Sequence, residues 1–570
     1  MNSLSKKNKE ITVADYVADF LFSKKIKNIF MLTGYGAMYL NDSITSRKIK
    51  YYAARNEAAA PMMAKGLSTV TGKVSAVCVT AGPGATNAIP GLAECWVDSS
   101  PVIIISGQVD RKDTTHLSKI KNLRTVGTAE IDIIPIVKPL TKYCAFVKNP
   151  NSIKYVMEKA FHLCTSGRSG PVWIDIPLDV QSSIINLSKL KTFKKKPTLK
   201  KNYDSKILKL INKIYKSKFP VIVAGQGVRA SKKINDFKKI INKLKIPVFF
   251  SRLGQDIISH NHKYIFGQGG IKGVSSFKKI MNKSDLIISF GSRLAVQFIG
   301  LDKEAIKKDT EIFMIDIDKN EIQKTKPDNY LVGDLKILLP KIRKKLEISK
   351  KKFDFNNWLN QATEIKKSKN YPINSKKNPM DLYFFMKKLG EKSKKNSVLI
   401  TDAGSNYYIG GQVWSFDKKQ QEVTSGCNAA MGLSIPLAIG ASVGLPNRDI
   451  FAVTGDGSLE LNIQELKTIS HYNMNIKIFV INNGGYISMI NWQDNIFSGR
   501  RIDTKDITGA GTLNLKKISE AFDLRWYLID DYKKIDFHLN KINKIKGPLF
   551  VEVVTSSKQI IHSSFKDGSN

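Results

Sequence analysis

Short apolar runs alternate with segments of helical spacing along most of the chain, and this alternation predicts its fold. In the first third, the small apolar residues of 58–69 indicate a buried helix. Runs typical of buried strands lie around it, at 29–32, 51–54, 74–80, 102–106 and 172–176. Repeated strand-then-helix units are typical of a parallel sheet with helices on both faces.

The alternation continues in two further blocks. Strand-like runs occur at 221–224, 248–250, 286–290 and 312–317, and then at 398–401, 450–453 and 476–481. Two lysine-rich stretches, 189–203 and 344–378, separate the blocks and are predicted to be linkers. We therefore predict the α/β fold class, with three doubly wound parallel-sheet domains at 1–188, 204–345 and 379–570.

The net charge of +42 bears on the surface rather than on the fold. Lysines are scattered in short runs such as 194–196 and 350–352, whereas nucleic-acid binders more often concentrate arginine and aromatic residues on one face. A solvated lysine surface is the better interpretation, so we expect no nucleic-acid partner. The charge can still attract anionic substrates by electrostatic steering.

The cysteines and the lengths of the apolar runs indicate in which cellular compartment the protein is expected. The five cysteines form no C-x-x-C pair, which indicates free thiols in a reducing environment rather than disulfides or zinc ligands. The start, MNSLSKKNKE, lacks the apolar core of a signal peptide, and no apolar run approaches membrane-spanning length. We expect a cytoplasmic protein without membrane contact.

The third block contains a strand–loop–helix–strand pattern. The run 450–453 ends in Thr454-Gly455-Asp456-Gly457-Ser458, and the run 476–481 ends in Asn482-Asn483. Between them, apolar residues recur at helical spacing at positions 459, 463, 466 and 469. In such a unit the loops after both strands lie at the same edge of the sheet.

Asp456 and Asn483 are therefore expected to meet at this edge. A carboxylate and an amide oxygen suit Mg²⁺, which keeps other coordination sites for phosphate and water. The backbone N–H groups of Gly457 and Ser458, at a helix start, can face a phosphate. Gly-Asp-Gly alone would most often be only a turn; its pairing with two asparagines after the second strand favours a metal–diphosphate motif.

Glu57 lies between a strand end and an apolar helix. One interpretation is that its negative charge stabilises the N-terminus of that helix. The other follows from the apolar helix, Ala58-Ala59-Ala60-Pro61-Met62-Met63: it suggests that Glu57 is buried, and burial favours the neutral form of a carboxyl group, which suits proton transfer. The residues alone leave both interpretations open.

Three longer runs carry a family resemblance. VTAGPGATNAIPGLAECWVDSSPVIIISGQV (79–109), VKPLTKY (137–143) and GRSGPVWIDIPLDVQ (167–181) resemble the acetolactate synthase branch of thiamine-diphosphate (ThDP) enzymes. The similarity extends from about residue 11 to residue 554. It implies that the three domains are the pyrimidine-binding, central and diphosphate-binding domains of that family.

The resemblance also implies site residues and cofactors. The glutamate matching Glu57 exchanges a proton with the aminopyrimidine of ThDP, and Mg²⁺ is held by Asp456, Asn483 and Gly485. Cofactor-binding positions carried over from the family are Ala403, Gly404, Ser405, Asn406, Ala429, Met431, Gly455, Gly457 and Ser458. Without the resemblance, Met431 would be interpreted as core packing.

Further implications concern assembly and a second cofactor. In the family two subunits share each active site, so a homo-oligomer, at least a dimer, is expected. The central domain holds FAD in acetolactate synthases and other or no ligands in relatives. Gly225-Gln226-Gly227 is weak evidence for a nucleotide, and Gly291-Ser292-Arg293 keeps one arginine of a flavin-contacting turn. The next residues depart from that turn, so FAD stays an open alternative.

The substrate positions depart from the family pattern. A site glutamine is missing where this chain has Thr128-Ala129-Glu130, and Gln297 aligns with the arginine that binds the acceptor carboxylate. Trp492, by contrast, preserves a tryptophan associated with acceptor choice. The Gly36-Ala37-Met38 and Gly254-Gln255-Asp256-Ile257 segments look more like relatives found with surface-polysaccharide synthesis. We predict that Gly36, Gln297 and Trp492 contact substrate.

The leading functional hypothesis is an acetolactate-synthase-like carboligase that decarboxylates pyruvate or another 2-oxo acid and joins the two-carbon unit to a carbonyl acceptor. The alternative is a related carboligase with a keto-sugar-nucleotide acceptor, or a simple decarboxylase. A non-catalytic ThDP-binding regulatory subunit is disfavoured, because such a protein would be expected to lose Glu57 and this chain keeps it.

Overall fold

The structure is a computed structural model that describes residues 10–195, 201–303, 305–417 and 419–565. Packing contacts divide the chain into two compact units. The first comprises Met1–Thr198, Gly432–Asn447 and Asn462–Ile476, and the second comprises Leu199–Met431, Arg448–Leu461 and Lys477–Asn570. The expectation about the signal peptide rests almost wholly on residues 1–9, which lie outside the described residues, as do residues 196–200 of the first predicted linker.

The N-terminal part of the chain alternates strands and helices. Its strands are β1 (Glu10–Thr12), β2 (Asn28–Met31), β3 (Lys50–Ala53), β4 (Ser75–Val79), β5 (Val102–Gln108), β6 (Tyr143–Phe146), β7 (Val172–Pro177) and β8 (Ile184–Asn186). Its helices are α1 (Val13–Ser23), α2 (Met38–Ser46), α3 (Ala59–Thr71), α4 (Pro83–Asn87), α5 (Ile89–Val97), α6 (Ile133–Val137), α7 (Ile153–Thr165) and α8 (Leu178–Gln181).

The middle part repeats the pattern. Its strands are β9 (Pro220–Ala224), β10 (Val248–Phe250), β11 (Ile265–Gln268), β12 (Leu286–Phe290), β13 (Glu311–Asp316) and β14 (Asn329–Val332). Its helices are α9 (Asp204–Lys216), α10 (Gln226–Ala230), α11 (Ile234–Leu244), α12 (Phe277–Met281), α13 (Val296–Ile299), α14 (Lys319–Thr325), α15 (Leu335–Ile348) and α16 (Asn356–Ser368).

The C-terminal part is built in the same way. Its strands are β15 (Val398–Thr401), β16 (Gln421–Val423), β17 (Ile450–Gly455), β18 (Ile476–Asn482), β19 (Trp526–Ile529) and β20 (Leu549–Val554). Its helices are α17 (Leu382–Lys392), α18 (Gly404–Val413), α19 (Ser434–Gly444), α20 (Asp456–Leu459), α21 (Leu466–His471), α22 (Ile487–Phe497), α23 (Leu515–Ala521) and α24 (Ile535–Ile542).

Within the described residues, three six-stranded sheets have the orders β3-β2-β4-β5-β7-β6, β11-β10-β9-β12-β13-β14 and β16-β15-β17-β18-β20-β19. Their registered pairs are parallel; for example, β12 pairs with both β9 and β13 in this way. The first and third orders are the same permutation of strands. The predicted α/β class with three doubly wound parallel sheets is confirmed.

The strands lie where the apolar runs predicted them, because each central strand is buried on both faces. All five residues of β4 and all seven of β5 are buried, and β9 and β12 are equally buried. One edge strand, β3, was predicted. Eight strands of the described residues were not, and all of them except β20 lie at the edge of a sheet. They are β6, β11, β14, β16, β19 and β20, together with the small antiparallel pair of β1 and β8.

Two expectations need correction. The helix expected after residue 458 is interrupted, because Asn462 has a non-helical backbone (φ −143°, ψ 33°) and its amide donates to the carbonyl of Gly432 at 2.9 Å. The stretch 344–378 is not a plain linker, because it contains the end of α15 and all of α16. The buried face of α16, with Trp358 and Leu359, belongs to the core of the middle sheet.

In the first unit, α3 and α19 approach each other at glycine. A Cβ atom built at Gly440 would lie 1.8 Å from the carbonyl oxygen of Met63, and one at Gly66 would lie 2.3 Å from that of Leu437. The backbones of the two helices are thus in contact at two points, and neither glycine position has room for a methyl group. The contact fixes α3, the helix that follows Glu57, against its neighbour.

The cysteines and the lengths of the helices bear on the environment in which the protein works. Cys78, Cys95 and Cys164 are buried free thiols, and Cys144 and Cys427 are free and partly buried. Burial raises the pKa of the Cys78 thiol to about 12, which keeps it protonated and unreactive at neutral pH. Among the described residues, none of the helices combines the length and the apolar character that crossing a bilayer requires.

Gly440→Ala tests the close helix contact. We expect a loss of about 1–3 kcal/mol in free energy of unfolding, the usual cost of overpacking, measured by urea denaturation. The matched control is Gly410→Ala in α18, where the nearest atom to the new Cβ is the mobile methyl end of Met386 at 3.1 Å. The control should be neutral or stabilising, because alanine favours a helix over glycine. Equal loss in both variants would contradict the contact as the cause.

Candidate active site

Parallel sheets of this kind bind ligands where the strand order reverses, at the carboxyl ends of the strands. In the C-terminal sheet this point lies between β15 and β17, which pair in parallel. The chain leaves β15 into Asp402–Asn406 and leaves β17 into Asp456–Ser458. Two of the predicted cofactor-binding segments therefore lie side by side at the switch point.

Asp402 joins these two segments. Its carboxylate is fully buried and accepts hydrogen bonds from the Ser458 hydroxyl at 2.6 Å, the Thr454 hydroxyl at 2.8 Å and the backbone N–H of Ala403 at 2.7 Å. Burial raises the pKa of Asp402, and these hydrogen bonds oppose the shift. Sequence reasoning missed this residue; its signal was an acidic side chain at the end of an apolar strand.

Asp456 organises the loop after the neighbouring strand. One carboxylate oxygen accepts from the backbone N–H of Gly457 at 2.9 Å. The other accepts from the backbone N–H groups of Asn483, Gly484 and Gly485, at 3.2, 3.0 and 3.4 Å. The predicted meeting of Asp456 with Asn483 and Gly485 is therefore present. Burial raises the pKa of Asp456, and the four backbone donors oppose this.

Two buried amide oxygens beside these segments have no hydrogen-bond partner in the described residues. They are Oδ1 of Asn483 and Oδ1 of Asn406. A buried acceptor without a partner is costly unless a ligand satisfies it. Oxygen ligands and open backbone fit a divalent cation bound together with a diphosphate; Gly404, with φ +66°, has no atom within 4 Å of the position of a Cβ.

The segment between β16 and α19 contributes the remaining predicted cofactor positions. Ala429 has φ +48° and its N–H donates to the Ser425 hydroxyl at 2.9 Å. Met431 is partly buried, so the structure does not make it an ordinary core residue. The Arg293 guanidinium, from the turn after β12, donates to the carbonyl of Gly426 at 3.4 Å. These contacts hold the segment in a defined path.

In the first unit, the predicted catalytic residue is buried at a sheet edge. The Glu57 side chain is 8% exposed, and its carboxylate accepts from the Asn87 amide at 3.1 Å. A Cβ built at Gly84 would lie 3.4 Å from the other carboxylate oxygen. Asn87, the last residue of α4, was also missed, although it lies in the 79–109 run that carries the resemblance. The apolar helix predicted to follow Glu57 is present as α3.

Gly36 lies at the switch point of the same sheet, between β2 and β4. A Cβ built there would lie 2.9 Å from that of Ala81, and the Gly36 carbonyl accepts from the Gln181 amide at 2.7 Å. Glycine is required at this position by close packing against Thr80 and Ala81, which follow β4. In the first unit the structure therefore places Gly36 and Glu57 at the same edge of one sheet.

The two other predicted substrate residues are on the surface of the second unit. Gln297 lies on α13 with an exposed side chain, and its backbone carbonyl accepts from Ile271 N–H at 2.9 Å. Trp492 lies on α22 and is 61% exposed. No contact between these two side chains is present in the described residues, so their shared role stays a prediction.

Ala129 and Glu130 lie in one turn, in which Ala129 is exposed and Glu130 is buried. Ala129 has φ +57°, and its carbonyl lies where a Cβ at Gly82 would be, 2.3 Å away. The Glu130 carboxylate accepts from the backbone N–H of Thr115 at 2.9 Å and from that of Val126 at 3.2 Å. Glu130 thus holds the loop, and Ala129 presents only a methyl group where the family has glutamine.

The glycine pair of the middle sheet packs closely against the turn after β12. A Cβ at Gly225 would lie 2.3 Å from the Gly291 carbonyl oxygen, and one at Gly227 would lie 2.7 Å from the Gly291 Cα. The Gly227 N–H donates to the Gly291 carbonyl at 3.1 Å. These glycines let two turns pack backbone to backbone, which explains them without a flavin.

Comparison with known proteins gives the family. Residues 11–133, 207–342 and 402–553 match, in that order, the N-terminal TPP binding domain, the central domain and the C-terminal TPP binding domain of thiamine pyrophosphate enzymes. The acetolactate synthase large subunit of Buchnera aphidicola subsp. Schizaphis graminum (strain Sg) is 31% identical over 85% of each chain. The chain belongs to the thiamine-diphosphate-dependent acetolactate synthase family.

Other acetolactate synthases are similar over most of their length. The large subunit from Lactococcus lactis subsp. lactis (strain IL1403) is 29% identical over 94% of this chain and 91% of its own. Acetolactate synthase 1, chloroplastic, from Nicotiana tabacum is 30% identical over 96% of this chain and 82% of its own. Membership of the acetolactate synthase family confirms the resemblance drawn from the sequence and makes the chain a ThDP-dependent enzyme.

Asn483→Ala tests the unpartnered oxygen. We expect affinity for ThDP with Mg²⁺ to fall about 10–100-fold, as is typical when a group beside a bound metal is removed, while thermal stability changes little. Titration calorimetry in Mg²⁺-buffered solution measures the affinity. Asp456→Ala should abolish ThDP retention, but it also frees four backbone donors, so Asn483 gives the cleaner test.

The matched control for that experiment is the adjacent residue. Asn482 donates through its amide to the Glu552 carboxylate at 2.8 Å, so Asn482→Ala should cost stability and leave ThDP affinity unchanged. Equal affinity of the Asn483 variant and the unaltered protein would contradict the metal–diphosphate assignment.

Proposed function

We propose that the protein is an acetolactate-synthase-like carboligase, which decarboxylates pyruvate or another 2-oxo acid and joins the two-carbon unit to a carbonyl acceptor. The observation that carries the proposal is the pair of unpartnered buried oxygens, on Asn406 and Asn483, beside the Asp456 loop. The names of the relatives support the acceptor chemistry.

The residues have separate roles in this scheme. When bound, ThDP supplies a nucleophilic carbon and an electron sink for decarboxylation of a 2-oxo acid. Glu57 would hold and return the proton that activates the aminopyrimidine ring. Asn87 orients the Glu57 carboxyl group through the 3.1 Å hydrogen bond.

The phosphate side of the site is assigned to the loops of the C-terminal sheet. Asp456, Asn483 and the backbone of Gly485 would hold Mg²⁺. The diphosphate would be met by Ala403–Asn406 and by Gly455, Gly457 and Ser458, whose arrangement Asp402 fixes. Ala429 and Met431 would contact the rings of ThDP. FAD in the central domain stays an open alternative, and no step is assigned to it.

Assembly and location complete the proposal. We assign a homo-oligomer, at least a dimer, in which Glu57 and Asp456 serve one site from different subunits, as the family resemblance implies. The pyrimidine-binding, central and diphosphate-binding domains are assigned to 1–188, 204–345 and 379–570. Relatives named as large subunits support a small regulatory partner, and the free cysteines support a cytoplasmic location.

Glu57→Gln tests the proton-transfer role. We expect ThDP to bind with near-normal affinity, because the amide has the same shape, while exchange of the C2 proton of bound ThDP slows about 10²–10⁴-fold. Quenched-flow hydrogen–deuterium exchange read by NMR measures the rate directly. An unchanged exchange rate would return Glu57 to the role of a helix-terminal charge.

A second candidate function differs in the acceptor. Ala129 offers a methyl group and Gln297 a neutral amide where the family has a glutamine and a carboxylate-binding arginine, and no other arginine or lysine is assigned to that role. Each departure removes a group that could bind a 2-oxo acid acceptor, so each favours a keto-sugar acceptor, or a proton in a simple decarboxylase. These two departures favour that alternative for the second step only.

Gln297→Arg separates the two candidates. Losing a charge-assisted contact to a carboxylate costs about 1.5–3 kcal/mol, or roughly 10–150-fold in affinity. We therefore expect weak saturation by 2-oxo acid acceptors in the unaltered protein and improved acetolactate formation in the variant, with CO₂ release from pyruvate in both. Acetolactate yield against acceptor concentration is the measurement.

Tight acceptor saturation in the unaltered protein, with no gain in the Gln297 variant, would show that another group binds the carboxylate. Ordinary acetolactate synthase activity would then be the better assignment.

A further inference from the structure

The chain that leads into Glu57 departs from the edge of its sheet. β3 is the terminal strand in the order β3-β2-β4-β5-β7-β6, and after Ala53 the backbone turns away before α3 begins at Ala59. The backbone N–H groups of Arg55 and Asn56 therefore lie outside the sheet ladder. Their partner lies more than 400 positions later in the sequence.

That partner is Glu465, which is completely buried. One of its carboxylate oxygens accepts from the backbone N–H of Arg55 at 2.8 Å and from that of Asn56 at 3.1 Å. The other lies 2.8 Å from the Thr468 hydroxyl. All the hydrogen bonds lie within the first unit. Hydrogen bonds to a charged acceptor are about twice as strong as neutral ones.

Two more side chains of the same segment bind the end of β3. The Tyr472 hydroxyl accepts from the Ala53 N–H at 3.1 Å, and the Thr468 hydroxyl lies 3.2 Å from the Ala53 carbonyl. Residues 465, 468 and 472 are three and four apart, so a helix presents them on one face. Three side chains of one segment thus hold the backbone from Ala53 to Asn56.

We propose that Glu465 is a positioning residue for Glu57. It fixes the two peptide groups immediately before Glu57, while Asn87 holds the carboxyl end at 3.1 Å. Both ends of the proton-transferring residue are then defined, and the first anchor comes from a residue that touches neither cofactor nor substrate. The inference rests on the proposed role of Glu57. Displacement of a reacting group by 1 Å can cost about 100-fold in rate.

Glu465→Ala and Glu465→Gln test the proposal together. The alanine variant leaves the N–H groups of Arg55 and Asn56 without their carboxylate acceptor, whereas glutamine keeps a carbonyl acceptor of the same reach. We expect C2-proton exchange of bound ThDP to slow about 100-fold with alanine and to recover most of the rate with glutamine. The affinity for ThDP with Mg²⁺ should be unchanged in both.

A second readout needs no cofactor. Amide hydrogen exchange followed by mass spectrometry on the cofactor-free protein should show faster exchange of the peptide covering 53–58 in Glu465→Ala, and near-normal exchange in Glu465→Gln. If Glu465→Ala does not fold, Tyr472→Phe replaces it. That variant removes only the acceptor of the Ala53 N–H and should raise exchange of the same peptide and slow C2 exchange by a smaller factor.

Asp285→Ala is the matched control. Its carboxylate accepts from the backbone N–H groups of Lys218 at 2.7 Å and Phe219 at 3.0 Å and from the Ser217 hydroxyl, the same three kinds of donor that Glu465 has, but in the middle part of the chain. This variant should lose stability and keep the normal rate of C2 exchange.

Two outcomes would overturn the proposal. One is a folded Glu465→Ala protein, or a Tyr472→Phe protein used in its place, whose C2 exchange matches that of the unaltered enzyme. The other is an equal slowing in Asp285→Ala, which would mark the effect as general destabilisation. Failure of Glu57→Gln to slow C2 exchange would instead overturn the proposed function, so the two failures are distinguishable.

Discussion

Four backbone N–H groups converge on the carboxylate of Asp456, and the geometry of the phosphate side of the site depends on them. Gly484 and Gly485, with φ +73° and +131°, form a turn that glycine makes flexible. The carboxylate gives that turn one conformation. The loops of β17 and β18 are thereby held together before any ligand is present, which lowers the entropy that binding must overcome.

The same type of interaction, a buried carboxylate that accepts hydrogen bonds from backbone N–H or hydroxyl groups, occurs at three residues. Asp402, Asp456 and Glu465 are acids whose main partners are backbone N–H groups or hydroxyls rather than basic side chains. Burial raises the pKa of each, and the hydrogen bonds oppose the shift. A carboxylate satisfied in this way orders a loop without a long flexible cation, so the loops stay compact and open to an anionic ligand.

Features that depend on the local sequence pattern could be predicted, whereas features that depend on contacts between distant residues could not. Buried central strands such as β9 and β12 are continuous apolar runs, and the Asp456 motif follows one of them, so both were predictable. The break at Asn462 was not, because it depends on the Gly432 carbonyl, 30 positions away. The role of Glu465 could not be predicted either, because it depends on contacts with Arg55 and Asn56, which are distant in the sequence. Most edge strands were missed; β16, for example, has only three residues, two of which, Gln421 and Glu422, are polar.

The glycine contact between α3 and α19 also fixes the rotation of α3 about its own axis. Gly66 lies seven residues beyond the first residue of α3, about 10 Å along a helix that rises 1.5 Å per residue. With 3.6 residues per turn, inserting or deleting one residue before Gly66 would turn the start of α3 by about 100° relative to that contact. The number of residues between Glu57 and Gly66 therefore controls where the proposed proton-transferring residue lies.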